Sequence, residues 1–258
     1  MIEMKETILG YEVDTYSLDD CADNILGSMH SSKTAKWLAC LNPHSFFTAR
    51  HDKQFALALK DADWLIPDGV GIVIASKLLG GDIKKRLTGP DIFSSLLDRF
   101  NSAAAVRVFF MGSNQQTLDL ITKRMKKDYP NIIVAGTYSP PFKDIYSADE
   151  VDEMLSAINS VAVDVLWVGL TAPKQEKWIF ENKDRLNVKF IGAVGAVFDY
   201  FAGTTRPPAL VYQKFGLQWL HRLAQNPQRM WSRTFVSMPV FLYHLVCEKL
   251  NRSKTGFK

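Results

Sequence analysis

Residues 164–208 read DVLWVGLTAPKQEKWIFENKDRLNVKFIGAVGAVFDYFAGTTRPP. Val165 to Val168 is a short apolar run of the kind buried on both faces of a sheet, and it stops at Gly169. Pro173 then stands at the expected first helical position, followed by Lys174, Gln175 and Glu176. Proline suits that position because its φ is preset and its missing N–H has no partner in the first turn. The unpaired N–H groups of such a helix face what lies beyond the strand and favour an anion. A second strand, Val188 to Ile191, opens on Gly192 and Gly195, and its helix carries Asp199 and ends near Gly203. Two strand–glycine–helix units in tandem describe the ligand-binding rim of a parallel α/β sheet.

Outward from this stretch the alternation continues. Strands are expected at 7–13, 36–41, 64–66, 106–111 and 132–137. Helices are expected at 18–29, after Asn42-Pro43-His44 with a break near His51-Asp52, and at 71–79, 91–100, 114–128 and 148–158. The fold class is α/β, a mainly parallel, Rossmann-like sheet with helices on both faces. Composition shifts after Pro207-Pro208. Residues 1–208 are expected as the α/β domain and 209–258 as a helical appendage rich in aromatics and arginines. Its run from Phe235 to Val246 is apolar except for Ser237 and His244, and Pro239 is expected to break it. Two readings stay open from the pattern: a helix lying in a membrane interface, or one packed on the core or on another subunit.

The 258 residues, 47% of them apolar, can support a sizeable core, and a net charge of +4 is far below that of a dedicated nucleic-acid binder. Cys21, Cys40 and Cys247 are odd in number and widely spaced, which fits a reducing compartment and no zinc site. The opening MIEMKETILGYEVD lacks the basic and apolar regions of a secretory signal, and no apolar run reaches the ~18 residues of a membrane span. A cytoplasmic location is expected.

VGLTAPKQEKWI followed by GAVGAVFDYFAGTTRPP resembles the signature of the WecG/TagA/CpsF glycosyltransferases (glycosyltransferase family 26), and the likeness runs from about Ile8 to Leu245. Thr171 stands where that family often has glycine. The resemblance implies an inverting, cofactor-free and metal-independent enzyme, peripheral on the inner face of the cell membrane. It would move a hexose from a UDP-sugar to a polyprenyl-diphosphate-linked saccharide in surface polysaccharide synthesis, with room for a homo-oligomer. Asp68, directly after a strand in Pro67-Asp68-Gly69, matches the family's proposed base; the bland reading is a helix cap. Asn42 matches a substrate-side asparagine, while Cys40 replaces a threonine and reads as a small buried residue. Arg86, Thr88, Gly89 and Asp91 match an Arg-x-x-Gly-x-Asp loop, Asp91 being equally a helix cap. Gly112 and Ser113 suit a nucleotide contact or simply a tight turn. Gly169, Lys174, Gln175, Gly195 and Asp199 belong to the ligand rim, Gln175 as a partner for uracil or sugar, and Glu176 reads as a first-turn acid facing the helix dipole. Arg222, Arg229 and Arg233 are expected to meet diphosphate or anionic lipid; Ser232 replaces a second arginine common in the family. Asp61-Ala62-Asp63 resembles a cation-holding pair but precedes its strand. Two rivals are a nucleotide-dependent oxidoreductase, disfavoured because no strand is followed by G-x-G-x-x-G, and a non-catalytic scaffold of an assembly complex.

Overall fold

The computed structural model describes residues 4–31, 34–103, 105–205 and 232–255. Six parallel strands form one sheet: β3 (Lys36–Leu41), β4 (Trp64–Pro67), β5 (Arg107–Gly112), β6 (Ile133–Tyr138), β7 (Val165–Gly169) and β8 (Phe190–Ala193), in the spatial order β4-β3-β8-β7-β5-β6. Every residue of β4 and β8 is buried, as expected for strands covered on both faces. One face packs against α2 (Pro43–Ala49), α3 (Lys53–Asp61), α4 (Val70–Leu79), α7 (Ala148–Asn159) and α8 (Lys174–Asn182). The other packs against α1 (Leu18–Ser31), α5 (Gly89–Ser102), α6 (Gln115–Asp128) and α9 (Val197–Ala202).

At the centre of the second face Trp167 is fully buried, edge-on to Phe93 at 4.8 Å and Phe190 at 5.8 Å. Room for its ring comes from Gly192, where a Cβ would lie 2.3 Å from it. The sequence placed Gly192 in the turn after the strand. It lies inside β8 instead, because a side chain there would collide with Trp167.

Three further expectations are corrected. The single first strand is a hairpin, β1 (Lys5–Ile8) and β2 (Tyr11–Asp14), outside the main sheet, with Leu9 and Gly10 both at positive φ as a two-residue I′-type turn requires. Pro173 precedes α8 rather than opening it: the Ala172–Pro173 peptide is cis, and Lys174 N bonds Thr171 O at 2.9 Å. Pro239 does not break the last helix. A π-helical turn, Ser232–Ser237, runs without a break into α10 (Met238–Thr255), so Pro239 lies at the π-to-α junction, an irregularity of the kind that accommodates proline within a helix. The helix packs on the domain through Phe241 and Leu245, both essentially fully buried and one turn apart, with Phe241 edge-on to Phe46 at 5.5 Å. His44 Nδ1 lies 2.9 Å from Ser237 Oγ. On its other side Leu242, Tyr243, Val246 and Leu250 are exposed. Among the described residues no helix is long and apolar enough to cross a membrane.

Candidate active site

The chain leaves β5 for α6 on one face and β7 for α8 on the other. Neighbouring strands whose connections part in this way open a crevice at their C-terminal ends. Its two rims touch backbone to backbone. Gly112 has φ +126°, a Cβ on it would lie 2.5 Å from the Gly169 carbonyl, and Ser113 N donates to Gly169 O at 3.2 Å. A Cβ on Gly169 would in turn meet the Phe198 ring at 2.3 Å. Both glycines are therefore demanded by packing. Ser113, at φ +53°, has its carbonyl held by Ser139 Oγ at 2.9 Å.

Asp68 stands at the end of β4, half-buried, its N–H bonded to Leu41 O at 2.8 Å. Gly69, not Asp68, occupies the cap position of α4. Asn42 caps α2 instead: its Oδ1 accepts from His44 N at 3.0 Å and Ser45 N at 2.9 Å, and Ser45 Oγ accepts from Asn42 N at 2.7 Å. With its oxygen committed to the helix, the Asn42 amide turns Nδ2 toward Asp68 Oδ2, at 3.4 Å. Leu87 N donates to Pro67 O at 2.9 Å, which brings the loop of Arg86 and Thr88 alongside the end of β4. Asp91 proves to be a cap, accepting from Thr88 N at 3.1 Å and Thr88 Oγ1 at 2.6 Å. The Gly89 N–H reaches the Cys40 sulfur, and burial, then the charges of Asp68 and Glu176, push the Cys40 thiol well above its usual range.

Helix α8 contributes the floor. Gln175 and Glu176 are 5% and 3% exposed, and Gln175 Nε2 donates to Glu176 Oε1 at 2.9 Å. Burial pushes the Glu176 carboxyl up to about 7. Glu176 is the acid of the first turn, as expected, but it is buried there and its carboxyl is pushed toward the uncharged form. The 3–4 spacing of Gln175, Glu176, Trp178, Ile179 and Asn182, all buried, was the signal that places it inward. Gly195, at φ +54°, lies over this pair: a Cβ on it would come 3.4 Å from Gln175 Oε1. Lys174 is turned elsewhere. Its ammonium donates to Lys143 O at 2.5 Å and sits 5.1 Å and 5.6 Å from the Tyr146 and Phe142 rings. Asp199 is half-buried on α9, and its carbonyl closes the turn to Thr204 and Thr205 at 3.2 Å each. Arg222, Arg229 and the side chain of Arg233 lie outside the described residues.

The structure thus gathers Cys40, Asn42, Asp68, Gly89 and Glu176 around the ends of β3 and β4, with Gly112, Ser113 and Gly169 at β5 and β7. Asp61 and Asp63 lie at the opposite edge and are fully engaged: Asp63 with Lys36 at 2.6 Å and Trp37 N at 3.0 Å, Asp61 with Trp37 Nε1 at 2.9 Å and Lys183 at 2.7 Å. Among the described residues no group of three or more His, Cys, Asp or Glu is placed to hold a metal.

Comparison with known proteins agrees with this architecture. Residues 6–255 match the model of the glycosyl transferase WecG/TagA/CpsF family. A protein of Bacillus spizizenii is 32% identical over 206 residues, covering 80% of this chain and 77% of its own length. One of Bacillus subtilis is 28% identical over 217 residues, covering 83% and 80%. One of Staphylococcus aureus is 23% identical over 246 residues, covering 95% and 93%. All three are named N-acetylglucosaminyldiphosphoundecaprenol N-acetyl-beta-D-mannosaminyltransferase. With a match over nearly its whole length, the chain belongs to the WecG/TagA/CpsF family of glycosyltransferases.

Proposed function

We propose that this glycosyltransferase moves a hexose from a UDP-sugar to a saccharide carried on a polyprenyl diphosphate, with inversion, at the inner face of the cytoplasmic membrane. The names of its relatives point to an N-acetylmannosaminyl group as the sugar and a diphosphoundecaprenol-linked N-acetylglucosamine as the acceptor. The observation that carries the reading is the carboxylate of Asp68 at the C-terminal end of β4, outside the cap position of its helix and faced by the Asn42 amide at 3.4 Å.

In this mechanism Asp68 takes the proton of the acceptor hydroxyl as that oxygen bonds to the sugar's anomeric carbon. The bond to UDP breaks on the opposite side of the ring, and its electron pair leaves with the diphosphate. Arg86, Arg222, Arg229 and Arg233 are assigned to that developing charge, the role a metal ion plays in other transferases. Residues 1–208 act as the catalytic domain and 209–258 as an appendage that meets the membrane; the exposed row of Leu242, Tyr243, Val246 and Leu250 supports that contact.

A panel of UDP-sugars, assayed with the lipid-linked acceptor in EDTA, tests the reading. UDP-N-acetylmannosamine is expected to react without added metal. Transfer from none of the UDP-sugars, or activity only on adding magnesium or manganese, would sink it. The membrane contact is tested by replacing Tyr243, Val246 and Leu250 with serine. Because Phe241 and Leu245 keep α10 docked, the fold is expected to persist while sedimentation with anionic vesicles falls.

A further inference from the structure

Glu176 is a charged residue type placed where charge is costly. It is 3% exposed, its Oε1 has the Gln175 amide at 2.9 Å, and its Oε2 is buried with no partner among the described residues. An ionised carboxylate in such a place needs several donors, and the Gln175 amide with the residue's own backbone N–H does not suffice. The charged groups around it offer no remedy. Lys174 is turned to the Lys143 carbonyl and Lys177 to Asp52, at 2.9 Å. Among the described residues, β3 brings the Cys40 thiol beside Glu176, and the Asp68 carboxylate acts on that same thiol. Gln175 Oε1 is likewise buried without a partner among the described residues, and it lies nearer than Nε2 to the Cβ position of Gly195, 3.4 Å against 3.7 Å.

We propose that Glu176 is a positioning residue of the donor site: as an uncharged carboxylic acid it accepts the Gln175 Nε2 hydrogen and fixes the Gln175 carbonyl oxygen toward the Gly195 turn, where it accepts from an N–H or O–H group of the bound nucleotide sugar. The inference rests on the transferase reading above. It adds that this part of the site selects a hydrogen-bond donor, and that an ionised Glu176, buried with so few donors, loosens the pair. The donor group has two sources, the imide N–H of the base or a hydroxyl of the sugar.

Three forms of the full chain, wild type, Glu176→Gln and Glu176→Leu, decide it. Glutamine keeps the Oε1 acceptor and cannot ionise; leucine keeps the volume and loses the acceptor. Glu176→Gln is expected to hold the KM for the UDP-sugar within about threefold of wild type at pH 6 and to lack the rise in KM that wild type shows above pH 7. Glu176→Leu should raise KM about tenfold, the worth of one buried hydrogen bond, with kcat less affected. Calorimetry with UDP alone separates the sources: UDP affinity falling in Glu176→Leu assigns the base N–H, and unchanged UDP affinity with raised KM assigns a sugar hydroxyl. Without any substrate, the melting temperature of wild type should fall relative to Glu176→Gln between pH 5 and pH 8. Parallel melting curves, a Glu176→Gln as impaired as Glu176→Leu, or a Glu176→Leu with wild-type KM would each overturn the proposal. A wild type that binds no UDP fails the transferase reading itself; a wild type that binds, with variants behaving otherwise than stated, fails only the assignment of Glu176.

Discussion

Asp164 and Glu176 are both withdrawn from water, at opposite edges of one sheet, with opposite outcomes. Burial pushes the Asp164 carboxyl up, yet the Lys189 ammonium at 2.8 Å and the Arg107 N–H at 2.9 Å outweigh it and hold it below the usual range. Glu176 lies deeper and has only the Gln175 amide and its own backbone N–H, so burial wins. Depth and partners together decide which carboxylate is charged. At the N-terminal edge Asp63, like Asp164, has a lysine and a backbone amide, Lys36 and Trp37 N, and Asp61 has Lys183 and the Trp37 indole. Those acids tie strands together. At the C-terminal edge carboxylates instead meet side-chain amides, Asp68 that of Asn42 and Glu176 that of Gln175.

Substitutions at the two edges should therefore separate activity from stability. The largest effect is expected from Asp68→Asn, with turnover down roughly 10²–10⁴-fold, the usual worth of a general base. The melting temperature and UDP affinity should stay near those of wild type. Near-native turnover in this variant would put the base elsewhere. Next comes Gly112→Ala. A methyl 2.5 Å from the Gly169 carbonyl, at φ +126°, should cost roughly 2–5 kcal/mol in urea unfolding, from overpacking and backbone strain together. A cost under 1 kcal/mol would show that the rims are not locked to each other. Asp164→Ala should cost about 1–3 kcal/mol, chiefly through the lost charge-assisted bond to the Arg107 N–H, since Lys189 is half-exposed and screened. Its kcat should match wild type, and a drop in kcat beyond about threefold would break the division between edges.

The smallest effect is a pH slope. Asp14, fully buried with Oδ2 accepting from Leu65 N at 2.6 Å, is pushed up to about 7, mainly by burial. Its folded value lies above its unfolded one. Its contribution is therefore complete below the unfolded value and lost as pH rises through about 7. Between pH 6 and 7 wild type should lose up to about 1 kcal/mol relative to Asp14→Asn. A flat difference across that interval would mean that Asp14 is ionised throughout.

Much of this was legible in the chain. Apolar runs stopping at glycine gave β7 and β8, and Asn42-Pro43 announced a capped helix at the sheet's ligand edge. Asp68 stood out because it follows β4 directly, and Asp61 and Asp63 could be set aside because they precede it. What was missed depends on contacts distant in sequence. Gly192 looks like any turn glycine until Trp167 is packed beside it. The hairpin turn puts Leu9 at positive φ, a conformation leucine does not advertise. Pro239 reads as a breaker unless the π-to-α junction is known to lie there. Glu176 follows Lys174 and Gln175 in a polar triplet, and only the spacing to Ile179 turns it inward.

Cys40 carries a consequence for chemical resistance. A thiol beside the proposed base looks vulnerable to peroxide and alkylating agents. Those reagents attack the thiolate, and burial first, then the charge of Asp68, disfavours that form. Held as the thiol, the Cys40 sulfur should stay unmodified under peroxide that oxidises thiolate-bearing enzymes.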